Sequence, residues 1–433
     1  MDKAGKKPGF IGPLNQLAHP AGINRAFRGD PLHPPFQFSR RSFVASTLAA
    51  SIGVARSQAA TAADPPTLLV RASGYDGKAP GPELRVRRGA EFSIRVDNTL
   101  EEPTAVHWHG VRLPNAMDGA PPLTQAPILP GASFNYRFVA PDAGTFWYHA
   151  AGSKSSALYG PLIVEEPEPP DVDQEATLIY GLSYAQYSRD RRLTVNGVDN
   201  YNVVAAPNQR LRLRLINATT EQILRLRVAE LRPFVMAIDG QPAEPFAARQ
   251  GELTLGPGNR IDAFVDCTLA PGSTASMKIE DTNIVLGNPV VTIQCDPKSP
   301  GRTAPRDPHP KPLPPNPLPE RMDFRNAERF EAAIGSRSPN QKDELRFQVN
   351  RGRTVVLGVS KPPALATGSI HVHGHSFRLL DALDDGWKPF WLDTMPIASG
   401  RKIRIAFVAD NPGKWLIEGL VTQSGAGVWF EVT

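Results

Sequence analysis

RLRLRLINAT, residues 210–219, alternates arginine with leucine through three repeats. On a helix such leucines would be smeared around the cylinder. On a strand, successive side chains point to opposite faces, so the leucines line one face and the arginines the other. The stretch therefore reads as a strand with one buried and one solvated face. The same period recurs on either side of it. ELRVRRGAEFSIRVDNTL, residues 83–100, gives two strands with Gly89 at the turn, and GELTLGPGNRIDAFVDC, residues 251–267, gives strand, Pro-Gly turn and strand. Helix-period apolar stripes are rare, and 44 Pro and 36 Gly punctuate the chain. The fold class expected is all-β.

At 433 residues the chain exceeds what one hydrophobic core holds. Two Pro-rich breaks divide it, EEPEPPD at 165–171 and PKSPGRTAPRDPHPKPLPPNPLPE at 297–320. They leave strand-rich blocks at 65–168, 172–297 and 341–433, each the size of a β-sandwich. The segment 298–340 reads as an extended, solvated linker ending in a short helix, RNAERFEAAIG at 325–335.

Residues 1–62 stand apart. SRRSFVASTLAASIGVARSQAATA, residues 39–62, joins Arg40 and Arg41 to a short apolar run and an Ala60-Thr61-Ala62 cleavage pattern. It resembles a twin-arginine export signal, which implies a periplasmic protein; a plain basic tail is the alternative. Residues 1–62 carry eight Lys/Arg and two Asp, a net of +6 in a chain of +5, so the remainder is near −1. The basic pI of about 9.2 thus belongs to the leader and gives the rest no nucleic-acid signature. No other segment is long and apolar enough for a transmembrane helix. Cys267 and Cys295, the two cysteines, each end an alternating run. They pair in an oxidising compartment if the strand ends adjoin, or remain buried thiols.

Six of the nine histidines fall into three clusters: His107 and His109 in VHWHG, His149 in FWYHAAG, and His371, His373 and His375 in SIHVHGHSF. Strand residues i and i+2 share a face with Cα atoms roughly 6.5–7 Å apart. That spacing suits two imidazoles serving neighbouring metals better than one ion held by both. Imidazole favours Cu, Zn, Fe and Ni, with Cu(II) binding most tightly among divalent ions. The two pairs lie about 260 residues apart, so they meet only if the first and third blocks face each other.

The surrounding residues carry a resemblance. AVHWHGVRLPNAMDGAPPLTQAPILPGASFNYRF and AGTFWYHAAGSKSSALYGPLIV resemble the first domain of the multicopper oxidases. LTVNG, RLRLINAT and AIDGQPAEP with LTLGPGNRIDAFVD resemble the second. IHVHGHSFRLL and NPGKWLIEGLVTQSGAGVWFEV resemble the third. The resemblance covers nearly all of 65–433. It implies three cupredoxin-like Greek-key β-barrel domains, one electron-accepting type 1 copper in the third, and a three-copper cluster between the first and third. By motif position, His107 and His371 match ligands of the type 2 copper, and His109, His149 and His373 ligands of the type 3 pair. His375 matches a histidine that is not a ligand. Asp118, nine residues after His109, matches an acidic group that delivers protons; as a residue before Gly119 it equally suits a turn.

The chain departs from the pattern in three places. Ala151 stands where the W-Y-H-x-H motif has its second histidine. Gly368 stands where the third domain's motif has its leading one. The H-C-H-x-x-x-H motif is replaced by IEGLVTQSG, residues 417–425, where Glu418 aligns loosely with a missing histidine, and no His or Cys follows His375. A type 1 site needs a Cys thiolate and two His. The expectation is a periplasmic copper-binding protein with a reduced type 2/type 3-like site between the first and third domains, fewer than four copper ions or none, and no type 1 relay; if active, it is a copper-dependent oxidoreductase without ordinary four-copper turnover. Its partner would be a small-molecule reductant or an envelope protein. The second reading is a non-catalytic scaffold, similar to the family's copper-free periplasmic cell-division protein.

Overall fold

The computed structural model describes residues 65–71, 73–151, 157–184, 191–280, 287–334, 344–363, 368–380, 389–420 and 427–433. The leader and its twin-arginine stretch lie outside the described residues, as does 421–425 of the replaced motif. The described strands form six sheets, two to a domain, and the described helical segments are 3-10 turns only. No helix among the described residues is long and apolar enough to cross a membrane.

Each domain is a sandwich because its alternating strands bury one face of each sheet against the other. In the first domain, Glu91–Asn98 and Ser133–Val139 belong to one four-stranded sheet, and Ala105–His109, Gly144–Ala151 and Tyr159–Glu165 to the other. Phe92, Ile94 and Phe138 from one side meet Val106, Trp108, Phe146 and Leu162 from the other. Gly89, at φ +80°, turns the chain from one sheet to the other, so the two strands of residues 83–100 do not pair as a hairpin. The second domain packs a six-stranded sheet on a five-stranded one, and the third a four-stranded sheet on a five-stranded one.

Three expectations are corrected. The helix expected at 325–335 is the strand Glu328–Ala333, paired in parallel with Thr354–Ser360 of the third domain. That domain thus begins before residue 341. Ala332 and Ile334 are buried in its core with Phe330 against them, so the inward positions recur every second residue. The Pro-rich segment is not wholly solvated either. Asn316 is buried and its amide donates to Ala143 O at 2.8 Å and Gln241 Oε1 at 2.9 Å, fastening the connector to the first two domains.

The third correction concerns the arginines of Arg210–Asn217. Leu211, Leu213 and Leu215 enter the second domain's core as expected. The opposite face is dry, with Arg212 0% and Arg214 1% exposed. The first domain lies against it. Arg212 pairs with Glu166 at 2.7 Å and Asp262 at 2.5 Å, and Arg214 with Glu175 at 2.7 Å and Thr145 Oγ1 at 3.0 Å. Alternation told which residues share a face; it did not tell what covers the polar one. Cys267 and Cys295 are buried free thiols.

Candidate metal centre

The first domain's strands deliver two of the histidine clusters to one place. Ala105–His109 runs antiparallel to Gly144–Ala151, and His107 stands directly opposite His149. From the third domain, Gly368–Val372 carries His371, with His373 just beyond its end. Tertiary packing closes the gap of more than 260 residues: the Nε2 atoms of His107 and His371 are 3.3 Å apart, and the rings of His109 and His371 stack at 3.8 Å. The loop bearing Asp118 presses on the same strand. Gly119, at φ +76°, permits this, because a Cβ there would lie 1.9 Å from Val106 O.

Hydrogen bonds fix the tautomers. His107 Nδ1 lies 2.7 Å from the backbone oxygen of Asp118, and His371 Nδ1 lies 3.0 Å from that of Asp393. A carbonyl only accepts, so both Nδ1 atoms carry the proton. Their Nε2 atoms then face each other, an approach that is favourable when a proton or a metal cation lies between them. Burial lowers the pKa of His371 to about 4, so its proton is not readily supplied from solvent at neutral pH.

Two more buried nitrogens, His109 Nδ1 and His149 Nε2, have no hydrogen-bond partner among the described residues. His109 Nε2 is taken by Thr394 Oγ1 at 2.8 Å. Burial, and then the charge of neighbouring imidazoles, keeps both rings neutral, with His149 lowered to about 3. One potential ligand atom from each of His107, His109 and His149 lies within 4.8 Å of the others, and the same holds for His107, His371 and His373. Unpartnered buried nitrogens are costly. Several aimed into one pocket form a donor set that fits a metal ion such as copper.

His373 is held differently. Its Nδ1 meets Asp118 Oδ2 at 2.9 Å and its Nε2 meets Glu418 Oε2 at 3.3 Å. Burial opposes its charge, but the two carboxylates prevail and lift its pKa to about 10. Asp118 is likewise opposed by burial, and His373 and His107 hold it well below the usual carboxylate range. Asp118 thus follows the turn Asn115–Met117 and its carboxylate also contacts two of the imidazoles, His107 and His373. His375 stays out of the pocket, its ring among Phe407, Trp415 and Phe430 of the third domain's core.

The sequence reading missed the outer support. Arg260, from the second domain, is fully buried and forms two bonds to Asp393, at 2.8 and 2.5 Å. Asp393 Oδ1 accepts from Thr394 Oγ1 at 2.7 Å and lies 3.4 Å from His371 Nδ1. Arg260 Nε also donates to Thr145 O at 3.2 Å, so one side chain joins all three domains beside the pocket. The only sequence signal was the mismatch of a charged residue opening the apolar strand Arg260–Asp266.

Multicopper oxidase family models match residues 58–169, 144–273 and 312–423. Among solved structures, the chain is similar to Lac15 from a marine microbial metagenome, at 30% identity and TM-score 0.71, with 85% of this chain and all of that one covered. A multi-copper oxidase from Pseudomonas thermotolerans is 29% identical with TM-score 0.70, covering 85% of this chain and 98% of that one. The multicopper oxidase MmcO of Mycobacterium tuberculosis is 28% identical over 424 residues, 81% of this chain and 80% of that protein. These matches bear out the cupredoxin-like all-β architecture. On this sequence, fold and pocket, the chain belongs to the multicopper oxidase family, a membership that implies copper binding.

Proposed function

We propose that this is an exported, periplasmic copper protein that binds copper between its first and third domains and has no type 1 relay. The observation that carries the reading is the facing pair of Nε2 atoms on His107 and His371, with His109, His149 and His373 around them. His107, His371 and His373 would hold the ion most directly, with His109 and His149 available from the first domain. Bound copper supplies one-electron redox chemistry there. Asp118 orients His107 and His373 and holds a carboxylate where protons can be passed to the pocket. The lost relay rests on the sequence: no cysteine or histidine follows His375, and Gly368 replaces the leading histidine of its motif. Export by the twin-arginine route rests on Arg40, Arg41 and the apolar run after them.

Metal analysis and EPR of the copper-loaded protein test the proposal. About one bound copper with a type 2 spectrum is expected, lost in His107→Ala and in His371→Ala. An intense blue thiolate band would contradict the missing relay. One observation favours the scaffold reading: the His373 imidazolium between Asp118 and Glu418 places a positive charge in the pocket without any metal. Absence of stoichiometric copper after loading would decide for it.

A further inference from the structure

Glu418 stands opposite His371, as its register partner on Gly413–Leu420. Directly opposed residues of an antiparallel pair share a face. Pairing alone therefore delivers this carboxylate to the imidazole pocket, between Leu416 and Leu420 on its own strand. Its Oε2 lies 3.3 Å from His373 Nε2, with the side chain 24% exposed. Among the described residues, no lysine or arginine pairs with it. Asp393, the other carboxylate beside the histidines, is already bound by Arg260; Asp118 is engaged with the Nδ1 side of His373. Glu418 alone faces a ring nitrogen that is otherwise available to an ion.

We infer that Glu418 is a ligand, so that the pocket is a mixed histidine–carboxylate centre for a single divalent first-row cation. The inference rests on the metal-binding reading above and specifies its donor set. A dication that displaced the proton of His373 would meet two carboxylates, Glu418 on the Nε2 side of that ring and Asp118 on its Nδ1 side, and their two charges balance it. A carboxylate is a harder donor than imidazole, so it favours Cu(II) over Cu(I).

The test titrates the full, metal-free chain with Cu2+ alone, in the wild type, Glu418→Gln and Glu418→His, with affinity read by chelator competition and ligands by EPR. Glu418→Gln is expected to weaken binding at least about 10-fold, the loss that follows even from removing a group outside the ligand shell. It should also raise the copper reduction potential. Glu418→His should add a nitrogen coupling to the spectrum. Stoichiometric binding by the wild type, with affinity and spectrum unchanged in Glu418→Gln, overturns the assignment and leaves the metal-binding reading intact. No binding by the wild type overturns both. Should Glu418→Gln not fold, as judged by melting of the metal-free protein, an unchanged nitrogen count in Glu418→His overturns the assignment.

Discussion

Two buried polar layers hold this molecule together, and they are finished differently. Between the first and second domains, Arg212 and Arg214 each meet carboxylates, and Asp262 also accepts from Thr145 Oγ1. Between the first and third, His109 Nδ1 and His149 Nε2 end without partners among the described residues, and the Nε2 atoms of His107 and His371 face each other. The arginine layer closes on itself, as a structural network must to repay desolvation. The histidine layer is left open at His109 Nδ1 and His149 Nε2, a cost in stability that the proposed metal ion would offset.

The largest expected effect breaks the closed layer. Asp262→Ala removes the buried carboxylate that Arg212 and Arg214 share, leaving them Glu166 and Glu175, and should destabilise the protein by about 3 kcal/mol in denaturant unfolding. A loss under about 1 kcal/mol would mean that the layer is not closed as described. A graded effect follows from acid. Burial opposes the charge of Asp262, yet Arg212 and then Arg214 hold its pKa below the ordinary 3.8. A carboxyl depressed in the folded state contributes stability that is complete above its unfolded pKa and lost as pH falls through the folded value. The urea midpoint should therefore decline below about pH 4, where an unpaired aspartate begins to protonate, and Asp262→Ala should flatten part of that decline. The smallest effect concerns the open layer. His149→Leu removes a nitrogen that has no partner, so the metal-free protein should be as stable as the wild type or better by about 1 kcal/mol. Copper affinity should fall in the same variant. A large loss of stability without metal would show that the ring is structural.

Much of this was legible in the sequence, for identifiable reasons. Period-2 patterning marked strands such as Arg210–Asn217, because it is a local property of the chain. The histidines announced themselves by clustering, and the five carried over as ligands converge in space. What failed was non-local. RNAERFEAAIG is rich in helix formers, but a sheet edge beside Thr354–Ser360 recruited it as a strand. The Arg212 face was read as wet because nothing in one strand's pattern reports the neighbouring domain. Arg260, Asp393 and Thr394 were invisible for the same reason: the contacts that place them beside the histidines, Arg260 to Asp393 and Thr394 to His109, join residues more than 100 positions apart.

Arg260 has a consequence for how anything reaches the pocket. Swinging the third domain away would pull Asp393 off a guanidinium that has no water to turn to, and the same movement would tug at Thr145 across the junction. A hinge is thus barred where it would be most useful. An incoming ion must thread past side chains and surface loops while the three sandwiches remain locked, so its arrival rate should track local breathing rather than opening of the whole body.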